Sequence, residues 1–357
     1  MKYSDAMAQT FLTRFPDPDS FPYRSWCYSQ GFMLWGFIRL YEKTGREEYK
    51  NYVLSYCGNH ADASGRIFGF TGCSLDDIMA GSVLAWAYGE TEEEGYRIAC
   101  KNILASLADY PRNPDGGFWH ARDLPGELWL DGIFMGGMFL LNHARYVGDA
   151  NVCFSELVRQ LCAGHARCEK DSSGLLYHAY CHGSAVRWAH PVTGKSSEVW
   201  SEGLGWYAMI LADTLCALPE EQQGRGELLT HLQKLMEALK LVQHEGSGLW
   251  YQVTDKPYGQ RNWLDSSGSA MFVYAMERAV AAGLIAPSFH ETAIRGFDGL
   301  KGRCIIGLDG LLSVQEACDG LCVQNTYNDY VDFPRVVNAK EAMAALFSAA
   351  VVMEYGV

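Results

Sequence analysis

No window of this 357-residue chain approaches eighteen uncharged apolar residues, the length a helix needs to cross a bilayer, so a membrane-spanning protein is not expected. The opening segment, MKYSDAMAQTFLTRF, has no apolar core followed by a small-residue cleavage site, and the expected location is the cytoplasm. Positive charge is also scarce, with 29 Lys and Arg against 42 Asp and Glu and a formal net charge of -13. Neither nucleic acid nor an anionic membrane gains from such a surface, which excludes both as expected partners. A small acidic substrate needs only a local positive site and stays open. The chain has no Walker loop, no G-x-G-x-x-G and no G-x-S-x-G elbow, so nucleotide and serine-hydrolase chemistry have no support. His178-Ala-Tyr-Cys-His182 has ligand-like spacing, but no second cluster completes a tetrahedral site. No metal or organic cofactor is expected. The twelve cysteines are scattered through a long chain, several in apolar helical settings such as Cys100, Cys162 and Cys216, and read as reduced thiols.

What the chain has in abundance is a short recurring phrase, in which a turn-forming residue and a glycine lead into apolar or aromatic residues. It occurs as Ser64-Gly-Arg-Ile-Phe, Asp115-Gly-Gly-Phe-Trp-His120, Ser173-Gly-Leu-Leu-Tyr-His178, Ser247-Gly-Leu-Trp-Tyr251 and Asp309-Gly-Leu-Leu312. Between the phrases the chain reads as pairs of helices. One member of each pair is apolar nearly all round, as over residues 130–147, 200–216, 265–283 and 338–355. The other is amphipathic, with Leu228, Leu232, Leu235, Leu239 and Val242, or Tyr96, Cys100, Ile103 and Leu107, at helical spacing. An inner ring of buried helices within an outer ring of half-exposed ones satisfies both patterns, which predicts an all-α (α/α)₆ barrel spanning residues 1–357 as one domain. Each phrase precedes an inner helix that opens on polar residues such as Asp76, Asp265 and Asn338, the last with Glu341 at capping-box spacing. Parallel inner helices bring their N-termini and the phrases to one end, where partial positive charge favours an anionic ligand.

Three carboxylates stand out at that end. Asp131 lies within Gly126-Glu-Leu-Trp-Leu-Asp-Gly-Ile-Phe-Met-Gly-Gly137, an otherwise apolar and aromatic run. Burying an unpaired carboxylate costs several kcal/mol or keeps it protonated, so Asp131 is the leading candidate for an acid catalyst. Asp76 and Asp77 open the helix after the first phrase, where one can cap it while the other faces the cleft. Trp26, Tyr28, Trp119, Trp129, Trp200, Trp206, Trp250 and Trp263 crowd the same end, and flat aromatic faces suit sugar rings, though most aromatics serve the core.

Taken in order, Trp26-Cys-Tyr28, Leu75-Asp-Asp-Ile78, Gly117-Phe-Trp-His120, Trp129-Leu-Asp-Gly-Ile-Phe-Met135, Gly174-Leu-Leu-Tyr-His178, Trp200-Ser-Glu-Gly-Leu-Gly-Trp206, Gly248-Leu-Trp-Tyr-Gln252 and Ser269-Ala-Met-Phe-Val273 carry a resemblance over nearly the whole length. The chain resembles glycoside hydrolase family 105, the unsaturated rhamnogalacturonyl hydrolases, and more distantly the unsaturated glucuronyl hydrolases of family 88. The resemblance implies an (α/α)₆ barrel and a hydrolase that acts on short oligosaccharides left by polysaccharide lyases. Such an enzyme hydrates the double bond of a 4,5-unsaturated uronate, and the resulting hemiketal collapses to release the next sugar. By this matching Asp131 is the general acid/base, in a setting that raises its pKa, and Asp76 is the second site carboxylate. Tyr28, His120, His178, Trp200 and Trp206 line the sugar pocket.

One position departs from the family. Many members read Trp-x-Arg-Gly-x-x-Trp at a helix start where this chain has Glu202. An anion in place of a cation beside a uronate needs compensation, for which Arg24, Arg122, Arg187, Lys195 and the helix N-termini are candidates. Glu202 can instead contact sugar hydroxyls. Two rival readings remain: a conventional glycosidase using Asp131 with Asp76 or Glu202 on a saturated sugar, and a non-catalytic sugar-binding protein on the same barrel. The oligomeric state is not read from the sequence.

Overall fold

Helical periodicity is realised in fourteen α-helices of the computed structural model, which describes residues 2–22, 26–184 and 186–356. They are α1 (Tyr3–Arg14), α2 (Tyr28–Thr44), α3 (Glu47–His60), α4 (Leu75–Met79), α5 (Gly81–Thr91), α6 (Glu94–Ser106), α7 (Leu130–Tyr146), α8 (Ala150–Cys168), α9 (Ser201–Ala217), α10 (Arg225–Val242), α11 (Ser266–Ala281), α12 (Phe289–Lys301), α13 (Tyr327–Val331) and α14 (Lys340–Tyr355). The apolar members pack in sequence order as a closed ring: α2, the broken helix α4/α5, α7, α9, α11, α14 and back to α2. Burial all round explains their composition, since α9 is buried without interruption from Ser201 to Leu215. The amphipathic helices α3, α6, α8, α10, α12 and α1 lean on them from outside. α10 buries Leu228, Leu232, Leu235 and Leu239 on one stripe, as the periodicity predicts.

The sixth hairpin joins the two ends of the chain. Lys2, at the N-cap of α1, offers no side-chain acceptor, and Glu354 at the end of α14 takes the amides of Tyr3 and Ser4 at 2.7 and 2.9 Å. A carboxylate from the last helix thereby caps the first and meets its dipole.

The recurring phrase has a physical basis. Its glycines, Gly65, Gly116, Gly174, Gly248 and Gly310, have φ between 73° and 90°, a left-handed turn that side chains disfavour. At Gly248 a Cβ would also lie 2.2 Å from the Arg295 carbonyl oxygen on α12. Gly248→Ala should therefore lower stability by about 2 kcal/mol or more, read as a fall in the thermal midpoint. After each turn the chain ties back to the preceding inner helix: Leu75, Leu130, Ser201 and Ser266, the first residues of α4, α7, α9 and α11, donate their amides to the carbonyls of His120, His178, Gln252 and Glu316 at 2.9–3.1 Å. One hydrogen bond repeated around the barrel sets the helix N-termini and the phrases at a common end. Short antiparallel ladders, 127–129 with 179–181 and 250–251 with 264–265, brace the same connections.

Helix α14 starts two residues later than its pattern suggests, and the capping box between Asn338 and Glu341 does not form. Asn338 is left-handed at φ 62°, and its amide oxygen is taken by the Val314 amide at 2.9 Å.

Between α8 and α10, His165 and His231 stack with ring centroids 3.5 Å apart. Glu169 and Glu227 lie at 3.6 and 3.8 Å, yet burial prevails and lowers both imidazoles, His165 to about 4 with the His231 charge adding to the effect. Groups whose folded pKa is depressed below 6.5 take up protons more readily unfolded, so stability is complete above about 6.5 and falls as pH drops toward about 4. Thermal midpoints measured across that window should decline by several degrees more in the native chain than in His165→Asn.

Candidate active site

The repeat also decides where the carboxylates go. The residue in second position is Asp76 on α4, Asp131 on α7, Glu202 on α9, Ser267 on α11 and Glu341 on α14. In these five of the six units the position one residue inside the helix N-terminus comes to the same end of the barrel, where four carboxylates and a hydroxyl collect. A cavity of about 270 Å³ opens there, lined by Tyr28, Asp76, His120, Trp129, Asp131, Trp200, Glu202 and Trp206, with Gly320, Leu321 and Cys322 from the loop before α13. Asp76, Asp131, Tyr28, His120, Trp200, Glu202 and Trp206 are thus brought together as the sequence suggested. His178 lies directly behind them, hydrogen-bonded to Asp131.

Asp131 is 9% exposed and has a partner. Its Oδ2 is 3.0 Å from His178 Nε2, and His178 Nδ1 is 2.9 Å from the Tyr330 hydroxyl on α13. The Gln324 amide and the Ser196 hydroxyl both approach that oxygen as donors, Ser196 Oγ itself accepting the Ala179 amide at 3.1 Å, which leaves the phenolic proton for His178 Nδ1. An imidazole that accepts at Nδ1 carries its hydrogen on Nε2 and donates to Asp131 Oδ2. Oδ1 takes no hydrogen bond from the described residues and borders the cavity. A proton held by Asp131 therefore sits on Oδ1, facing whatever occupies the cavity.

Asp76 faces Asp131 from the neighbouring helix, and neither Asp76 nor Asp77 caps α4. The Ser74 hydroxyl does so, accepting the Asp76 amide at 3.0 Å, while the Asp77 carboxylate binds the Thr71 hydroxyl and amide. Asp76 is 34% exposed, but to the cavity, and its Oδ2 is 3.8 Å from His120 Nε2. Enclosure by protein, aided by the charges of Asp131, Asp77 and Glu341, raises its pKa against the pull of His120. His120 stacks on Trp129 at 4.2 Å. Across the cavity the Tyr28 hydroxyl donates to Glu341 Oε1 at 2.6 Å, and burial together with the Glu341 charge pushes the phenol well above its usual range.

A model of glycosyl hydrolase family 88 matches residues 3–355. The chain belongs to that family. Protein Atu3128 of Agrobacterium fabrum (strain C58 / ATCC 33970) is 34% identical over 151 residues, 42% of this chain, and the chain spans 63% of that relative's length. The unsaturated rhamnogalacturonyl hydrolase YesR of Bacillus subtilis (strain 168) is 25% identical over 264 residues, covering 71% of this chain and 70% of YesR. Among solved structures, a family 105 glycoside hydrolase of C. acetobutylicum ATCC 824 superposes with a TM-score of 0.93 at 29% identity, over 99% of both chains.

Within this family 88 barrel two of the cations considered for the Glu202 departure, Arg122 and Lys195, are engaged elsewhere. Arg122 binds the carbonyls of Gly72, Ser106 and Asp109, Lys195 binds the Glu169 carbonyl, Arg187 is exposed, and Arg24 lies outside the described residues. Among the described residues Lys340 comes near the cavity, 2.7 Å from Glu341 Oε1, which also accepts from the cavity-lining Tyr28. Of the other aromatics, Trp26, Trp119, Trp250 and Trp263 hydrogen-bond to Asp77, Asn113, Leu239 and Val331 and serve packing. His182 is exposed and meets Tyr180 rather than His178, and among the described residues no three His, Cys, Asp or Glu side chains converge as metal ligands. No described helix is long and apolar enough to cross a membrane.

Trp129, one of the aromatics expected at this end, is a wall of the cavity, whereas the 320–322 loop, Tyr330 and the site role of Glu341 were not read from the sequence. Aligning the helix starts by second position would have found Glu341. Nothing local marks Tyr330 or the loop.

Proposed function

We propose that this chain is a cytoplasmic hydrolase that acts as one barrel domain to remove a 4,5-unsaturated uronate from the non-reducing end of short, lyase-generated oligosaccharides, of rhamnogalacturonan or pectin type. The observation that carries the reading is the division of labour on Asp131: one oxygen is held by His178, and the other borders a sugar-sized cavity walled by Trp129, Trp200 and Trp206. Asp131 protonates C4 of the double bond from Oδ1 and, as a carboxylate, takes a proton from the water that adds at C5. The hemiketal so formed opens and expels the neighbouring sugar, so no covalent enzyme intermediate is needed. Asp76, with its raised pKa and His120 partner, hydrogen-bonds the substrate or the attacking water. The YesR relationship supports the pectin side of the choice.

The test mixes purified protein with lyase-generated pectin and glycosaminoglycan disaccharides and follows the ultraviolet absorbance of the conjugated uronate. Loss of absorbance with the rhamnogalacturonan product is the expected result. Release of sugar from saturated glycosides, with the unsaturated ones untouched, would overturn the reading in favour of a conventional glycosidase.

A further inference from the structure

Ser267 and its neighbours pose a proton-counting problem whose solution assigns the charge of Glu202. The Ser267 hydroxyl lies 2.6 Å from Glu202 Oε2 and 2.8 Å from Asp265 Oδ2. It has one hydrogen to give, so two ionised carboxylates would leave one of these contacts as two oxygens facing each other with no proton between them. One of the two acids must supply the second hydrogen. Asp265 receives three other donors: the Ser201 hydroxyl at 2.9 Å and the Gly268 amide at 2.8 Å on Oδ2, and the Cys318 amide at 3.1 Å on Oδ1. It is also the N-cap of α11, where negative charge is favoured. Glu202 has no such support. It is 1% exposed, no cation of the described residues forms an ion pair with it, and the nearby Lys340, whose charge it feels weakly, is paired with Glu341.

Resting on the proposed function, we propose that Glu202 is a neutral carboxylic acid that donates from Oε2 to Ser267 and presents Oε1 to the cavity as an acceptor for a substrate hydroxyl. The chain of protons runs Glu202 to Ser267 to Asp265. Oε1 takes no hydrogen bond from the described residues, and Glu202 lines the cavity. The groups that face Glu202 agree with this assignment: burial foremost, then the Glu341 and Asp265 carboxylates, hold its acid well above the ordinary range, against smaller pulls from Ser267 and Lys340. Tyr28 and Cys318 also face Glu202, and burial foremost raises both of their pKa values, so neither offers it a compensating charge. A neutral acid does not repel a uronate, which removes the electrostatic objection to Glu202 in place of the arginine of many relatives. It also changes what is recognised at this position. An arginine can only donate, whereas Glu202 can only accept there, so the substrate class is a uronide with a free hydroxyl directed at α9.

Infrared spectra in D2O at neutral pH distinguish an acid C=O stretch from ionised carboxylate bands. The native protein minus Glu202→Gln should show one acid band, and Ser267→Ala should displace it. Raising the pH should remove the band as Glu202 ionises. Absence of the band at neutral pH overturns the assignment. Glu202→Leu keeps the volume and removes the acceptor, so KM should rise about tenfold or more in a variant with native circular dichroism; a smaller rise overturns the acceptor role. The infrared result needs no substrate. A native enzyme inactive on every unsaturated uronide but showing the band would thus refute the proposed reaction and leave the charge assignment standing.

Discussion

Asp131→Asn is expected to lower kcat on unsaturated uronides by about 10²- to 10⁴-fold, the range for loss of a positioned general acid/base, with KM and fold little changed. The reason lies in the hydrogen-bond geometry. His178 donates from Nε2, so the asparagine turns its carbonyl toward His178 and its amide toward the cavity. The side chain keeps its place, its partner and its volume, but the group facing the sugar neither delivers a proton to C4 nor accepts one from water. Steady-state kinetics by ultraviolet absorbance, beside a calorimetric melt, checks both halves of the expectation. A variant with native turnover would remove Asp131 from the reaction and leave Asp76 as the acid nearest to hand.

The second large effect is expected from a residue that does not touch the cavity. Tyr330 is fully buried, and its hydroxyl fixes which nitrogen of His178 bears hydrogen. Tyr330→Phe removes that hydroxyl and leaves His178 Nδ1, the Gln324 amide and the Ser196 hydroxyl without that partner. The stability cost is about 1–3 kcal/mol, as for other unsatisfied buried groups. The catalytic cost is separate: with both tautomers accessible, Nε2 presents a lone pair to Asp131 part of the time and draws the acid proton to Oδ2, away from the cavity. We expect kcat to fall about 10- to 100-fold with KM nearly constant, because acid/base contributions of this order depend on the donor being correctly aimed. A purely structural role for Tyr330 would lower the melting temperature and leave kcat per folded molecule unchanged. Nitrogen NMR of labelled histidine, with the His178 signal assigned by its loss in His178→Gln, should show an Nε2–H tautomer in the native protein and a mixture in the variant.

Much of this architecture was legible before any coordinates. The five glycine phrases marked real left-handed turns, and the alternation of wholly apolar and half-apolar helices matched the two rings. Both signals are local, since a turn needs glycine within a few residues and a helix reveals its surroundings by its own period. Asp131 was legible for a related reason: a carboxylate in an apolar run declares that something outside the run must satisfy it. What satisfied it was not legible. His178 is 47 positions away, and Tyr330 lies a further 152 beyond that. The capping-box reading of Asn338 and Glu341 failed because spacing alone does not reveal that Val314, from a neighbouring loop, competes for the asparagine oxygen. The choice between Asp76 and Asp77 as cap failed likewise, because the hydroxyl of Ser74 was already in position.

The sequence by itself determined the helices, their order, the end at which the phrases collect and the residue types available there, because propensity and burial period are properties of short segments. Tertiary structure alone decided which side chains meet and in what state of protonation. Closing the ring carries the second residue of five inner helices to one end of the barrel, so that residues 76, 131, 202, 267 and 341 become neighbours. The charge each bears then follows from donors and acceptors contributed by other units of the repeat. Proton positions depend on distances of about 3 Å between residues far apart in the chain, and no local pattern records them.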